Sequence, residues 1–174
     1  MDPDQPIGEA SFSGNESNRV FTQRGKKFYQ TQYVLGLENK ADSRSIVAAD
    51  LDSDGDLDLV LRNQHNIVLE LYENTLNTQT TYLTVSLRQS GQNPQAIAAG
   101  VQATCGSQKQ VRTMKAGFSF HAQAPYRLFF GFGDCTLPIQ LEVRWPDGTQ
   151  ELFREIKSNQ HILINKNDSQ ISTM

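Results

Sequence analysis

The chain has 174 residues, with 16 basic and 19 acidic side chains and a net charge of −3. That length can bury a real core in one or two small domains. No basic run is present, so a nucleic-acid partner is not expected. No apolar run approaches the roughly 18 residues that a membrane-spanning helix needs.

In chain order, Met1-Asp2-Pro3-Asp4-Gln5-Pro6 is polar and acidic and lacks the apolar stretch of a secretory leader. Residues 1–17 are expected to be a disordered tail. Strands then follow one another, and no long segment holds a helical period. The patterns predict strands at 19–23, 28–32, 46–49, 57–62, 67–73, 82–88 and 101–105. Five more are predicted at 110–114, 127–131, 141–145, 151–156 and 161–164. Arg24-Gly25, Gly91-Gln92-Asn93-Pro94, Cys105-Gly106-Ser107 and Pro146-Asp147-Gly148 supply the turns. Leu141, Val143 and Trp145 alternate with Glu142 and Arg144, which gives one buried and one wet face and places Trp145 in a core. Phe129, Phe130 and Phe132 read as packing residues. A composition shift near residues 74–81 separates a unit at 18–76 from a second at 77–165, and residues 166–174 read as a tail. The fold class is therefore all-β.

Asp50-Leu51-Asp52-Ser53-Asp54-Gly55-Asp56-Leu57-Asp58 sits between the first two strong strands and carries five aspartates in nine residues. Like charges this close repel unless a cation lies among them. Ca2+ takes six to eight oxygens at about 2.3–2.6 Å. Asp50, Asp52, Asp54 and Asp58 can supply carboxylates. Asp56 can supply its backbone carbonyl while its side chain faces water, and Gly55 permits the sharp turn. An EF-hand would need a bidentate Glu at position 12, where this chain has Leu61. A β-loop-β calcium site, with Asp50, Asp52, Asp54, Asp56 and Asp58 as metal residues, is the better reading.

Cys105 and Cys135 read first as unpaired small core hydrophobes. Pairing stays open, because spacing alone does not fix disulfide geometry. No catalytic site is expected. His65, His121 and His161 are scattered, and neither a zinc spacing nor a nucleophile elbow nor a phosphate loop appears. Asp134, His121 and Arg127 are the trio in which distant strands could still assemble a catalytic group.

Residues 45–61, with Ser45-Ile46-Val47-Ala48-Ala49 leading into the aspartate loop, resemble an FG-GAP/VCBS repeat, the calcium-loop repeat of integrin-α-type β-propellers. Tyr82-Leu83-Thr84-Val85-Ser86-Leu87, Phe130-Gly131-Phe132-Gly133-Asp134 and Leu141-Glu142-Val143-Arg144-Trp145-Pro146-Asp147-Gly148 resemble the ASPIC/UnbV domain of cartilage acidic proteins and their bacterial relatives. The resemblance implies one propeller-blade-like unit followed by a C-terminal antiparallel β-sandwich. It also implies a calcium-stabilised, non-catalytic, extracellular recognition or adhesion module with a protein or carbohydrate ligand. The alternative it offers is an accessory or enzymatic role in bacterial enediyne-type metabolism. The chain departs from the family in having one complete calcium loop where relatives carry several. One blade cannot close a propeller, which points to a fragment or to a sandwich covering the open edge. His121-Ala122-Gln123 also replaces a small, hydroxyl-rich stretch.

Overall fold

The computed structural model describes residues 16–64, 67–75, 80–168 and 171–174. Most of the expected N-terminal tail, His65 and the expected boundary at 76/77 lie outside them. No helix occurs among the described residues. The first part holds the hairpin β1 (Phe21–Arg24) and β2 (Lys27–Gln30), then β3 (Ser43–Ala49), β4 (Asp58–Asn63) and β5 (Leu69–Tyr72). The second holds β6 (Thr81–Arg88), β7 (Gly100–Cys105), β8 (Gln108–Thr113), β9 (Leu128–Gly133) and β10 (Ile139–Arg144). It ends with β11 (Gln150–Ile156), β12 (Gln160–Asn165) and β13 (Ile171–Thr173).

The second part is a two-layer sandwich of sheets ordered β11-β10-β7-β8 and β13-β12-β6-β9. Alternation aims Val101 and Ala103, Phe130 and Phe132, Leu141 and Val143, and Ile162 and Ile164 into one core. Trp145 is buried there, as its alternation predicts. It opens the turn into β11. The Trp145 carbonyl accepts from Gly148 N–H at 2.9 Å, and Gly148 takes the positive φ of +87° that the turn requires.

Three features depart from the sequence reading. β6 and β12 run parallel, so the sandwich is not purely antiparallel. The chain visits the opposite sheet through β10 and β11 before returning as β12, and that crossover sets the direction. The expected C-terminal tail contains β13, which pairs antiparallel with β12. Its polar sequence, with Ile171 as the one apolar residue, carries no strand period, and the open edge of β12 recruits it. Cys105 and Cys135 are joined in a disulfide. The bridge ties the end of β7 in one sheet to the segment after β9 in the other. Closing a 30-residue separation is worth about 3.6 kcal/mol in the chain-entropy model.

The first part is smaller and more polar. β3, β4 and β5 form an antiparallel sheet, and the fully exposed β1–β2 hairpin does not join it by strand pairing. The blade-like unit is thus three paired strands with a separate hairpin. Beneath the sheet, buried Asn63 accepts from Ser43 Oγ at 2.6 Å and donates to Glu70 Oε2 at 2.7 Å, while Asn39 donates to the same Glu70 oxygen. Such a network is stable because its members satisfy one another.

Candidate metal loop and adjoining cavity

Ala49 and Asp58 face each other across β3 and β4, so the aspartate loop is the connection of a hairpin. The loop folds on its own carboxylates. Asp54 N–H donates to Asp52 Oδ1 at 3.2 Å, and Asp56 N–H to Asp54 Oδ1 at 3.0 Å. Asp50, Asp52 and Asp54 converge, each offering a carboxylate oxygen within 4.8 Å of the others. Asp50 Oδ1 is shielded from solvent and has no hydrogen-bond partner. A shielded anionic oxygen without a donor is costly, and a cation would satisfy it. The donor set is all oxygen, as a hard dication requires.

Asp56 and Asp58 are placed differently from the other three. Asp56 Oδ1 is also shielded and unpartnered, so this side chain does not simply face water as expected. Burial raises the Asp56 pKa, and the charges of Asp54, Asp58, Asp52 and Asp50 raise it further. Asp58, only 4% exposed, uses both oxygens on the backbone. Oδ2 accepts from Leu51 N–H at 3.0 Å and Oδ1 from Asn74 N–H at 2.9 Å. It therefore pins the start of the loop to the strand exit after β5.

The loop rests on the sandwich. Gly55 is buried at φ +96°, and a Cβ built on it would overlap three ring atoms of Tyr82 on β6, with Cδ1 at 2.7 Å. Tyr82 in turn stacks on Phe129 of β9, ring centres 5.9 Å apart and planes 8° from parallel. Burial raises the Tyr82 pKa, and Asp50 and Asp54 add to it, which places the phenol in the field of the loop.

Beside this contact lies a cavity of about 490 Å³. Ala48, Ala49, Asp50 and Leu57 form one wall. Thr84, Leu128 and Phe129 of the sandwich form another, and residues 111–115 with parts of 117–127 close it. On the same outer face of β6, Ser86 Oγ lies 2.8 Å from His161 Nε2. Burial lowers the His161 pKa, Arg127 lowers it further, and Asp50 opposes them.

The three residues in which distant strands could have assembled a catalytic group do not meet. His121, Asp134 and Arg127 are exposed, and no hydrogen bond or ion pair joins them among the described residues. His121 instead lies against Phe120, ring centres 4.2 Å apart. Phe130 and Phe132 are core, whereas Phe129 faces outward onto Tyr82 and the cavity. Sequence reasoning missed Tyr82, Thr84, Arg112 and Lys115 as neighbours of the loop. One signal was available: Thr84 and Ser86 alternate with apolar residues and so share the outer face of β6 with Tyr82.

The family model described as FG-GAP-like repeat matches residues 10–61, and the one described as ASPIC and UnbV matches residues 89–171. The first match ends within β4, just beyond the aspartate loop. The second spans most of the sandwich but begins after β6, the strand that carries Tyr82 and Thr84. No curated protein matches the chain. The two matches thus follow one another in the expected order, an FG-GAP-like repeat and then an ASPIC and UnbV domain.

Proposed function

We propose that the chain is a calcium-stabilised, non-catalytic recognition module of an extracellular setting, with a protein or carbohydrate ligand. The observation that carries the calcium reading is the convergence of Asp50, Asp52 and Asp54 around a shielded, unpartnered Asp50 oxygen. Calcium would be held by these three carboxylates. Asp56 would lie close by, and Asp58 would hold the loop in shape. A bound ion would supply neutralising charge there, and the loop it held would keep its contact with Tyr82.

The Cys105–Cys135 bridge supports an oxidising compartment, because disulfides persist there and are rare in the cytosol. Extracellular calcium is plentiful enough to fill even a weakly binding loop of carboxylates. Leu69 and Leu71, each 63% exposed on edge strand β5, support further β-rich structure packing at this edge, as in a longer propeller.

Thermal unfolding in calcium and in chelator tests this reading. An ion that binds only the folded form adds about 2.7 kcal/mol at a hundredfold excess over Kd. The melting temperature should rise with calcium, and Asp54→Ala should abolish the rise. Identical melting curves in both conditions would overturn the calcium assignment.

A further inference from the structure

The cavity between the aspartate loop and the sandwich carries an imbalance that packing does not explain. Its walls are mostly apolar, formed by Ala48, Ala49, Leu57, Met114, Leu128 and Phe129. Three cations also line it, Arg112, Lys115 and Arg127, against Asp50 as the single anion. Among the described residues, none of the three cations has a carboxylate within ion-pairing distance. Arg112 donates to neutral oxygens, the Val111 carbonyl and Gln110 Oε1, each at 3.2 Å, and lies over the Phe130 ring, 5.8 Å from its centre. Exposed cations that outnumber the anions around an apolar hollow attract an anion.

A second observation comes from the floor. Thr84 lines the cavity, is 6% exposed, and its Oγ1 has no hydrogen-bond partner. A buried hydroxyl left unpaired is unfavourable unless something else meets it. An apolar hollow of a few hundred Å³ with a few convergent polar groups is the usual form of a small-molecule site.

We propose that this cavity binds a small organic monocarboxylate, with its apolar body against Leu57, Met114 and Phe129 and its charge matched by Lys115, Arg127 and Arg112. The Thr84 hydroxyl supplies one neutral hydrogen bond. This inference goes beyond the recognition reading, whose protein or carbohydrate ligand is a different one, and rests on it only in treating the module as a binder. Asp50 belongs both to this wall and to the aspartate cluster, so the two sites are neighbours that can be tested separately.

The probes are 1-naphthoate and decanoate, with their uncharged alcohols 1-naphthalenemethanol and 1-decanol as controls. Binding to the full chain is followed by amide NMR shifts in calcium and again in chelator, so that any effect of the aspartate loop on the cavity is read directly. At least one carboxylate should bind saturably, with shifts centred on Thr84, Thr113 and Phe129. The matching alcohol should bind about tenfold more weakly, the scale of a charged hydrogen bond. The double variant Lys115→Gln/Arg127→Gln should weaken the carboxylate about tenfold and leave the alcohol unchanged. Thr84→Val should weaken the carboxylate several-fold while the protein stays folded. Saturable binding of neither carboxylate, or equal binding of carboxylate and alcohol, would overturn the proposal. So would a double variant that binds like the parent. A calcium-independent melting temperature would remove the calcium assignment and leave this test standing.

Discussion

Gly55→Ala probes the contact that joins the two parts of the molecule. The new methyl has two costs. At φ +96° an L-residue is strained by about 1–2 kcal/mol. The Cβ also overlaps Tyr82, whose ring is held by its stack on Phe129 and cannot simply swing away. Overpacking of this kind costs about 1–3 kcal/mol. The variant should therefore lose roughly 2–5 kcal/mol in a urea unfolding titration. Tyr82→Ala removes the obstacle but leaves the strain. In that background Gly55→Ala should cost only about 1–2 kcal/mol, leaving a coupling of about 1–3 kcal/mol between the sites. Equal costs in both backgrounds would show that the loop does not rest on Tyr82.

Two further outcomes follow from the sandwich. The variant Cys105→Ala/Cys135→Ala should be about 3–4 kcal/mol less stable to urea than the oxidised parent, the loop-closure value for its 30-residue separation. Reduction of the parent should reproduce that loss. Hydrogen bonds from Lys166 and from Thr149 hold the Asp147 carboxyl well below the usual carboxylate range. Because its folded pKa is depressed, its contribution is complete above the unfolded value of about 3.9 and fades as pH falls through the lower folded value. The stability difference between the parent and Asp147→Asn should thus be constant from pH 7 down to about 4 and shrink below it. The check is a series of urea midpoints against pH.

Most strands were legible because one face of each is buried, although β1, β2 and β8 are almost wholly exposed. All twelve segments with alternation or apolar runs became strands, usually within two residues of the expected ends. β13 was not legible, since its pairing depends on the open edge of β12 and not on its own residues. The disulfide was not legible because it joins opposite sheets, and only the stacking of those sheets brings Cys105 and Cys135 together. The aspartate loop was legible as a candidate because its chemistry is local. The separate role of Asp58 was not, because its partner Asn74 lies sixteen residues away, beyond β5. The cavity was invisible for the same reason: Asp50 meets Thr84, Arg112 and Arg127 only through packing between the two parts.

The central claim is that a cation sits in the loop that rests on Tyr82. Terbium, an oxygen-seeking ion that substitutes for calcium, reads both halves of that claim at once. With excitation in the tyrosine band, terbium emission should rise saturably, fall when calcium is added, and vanish in Asp54→Ala. In Tyr82→Leu most of the emission should be lost, while calcium still raises the melting temperature. Emission that calcium cannot displace, or that survives Asp54→Ala undiminished, would contradict the account.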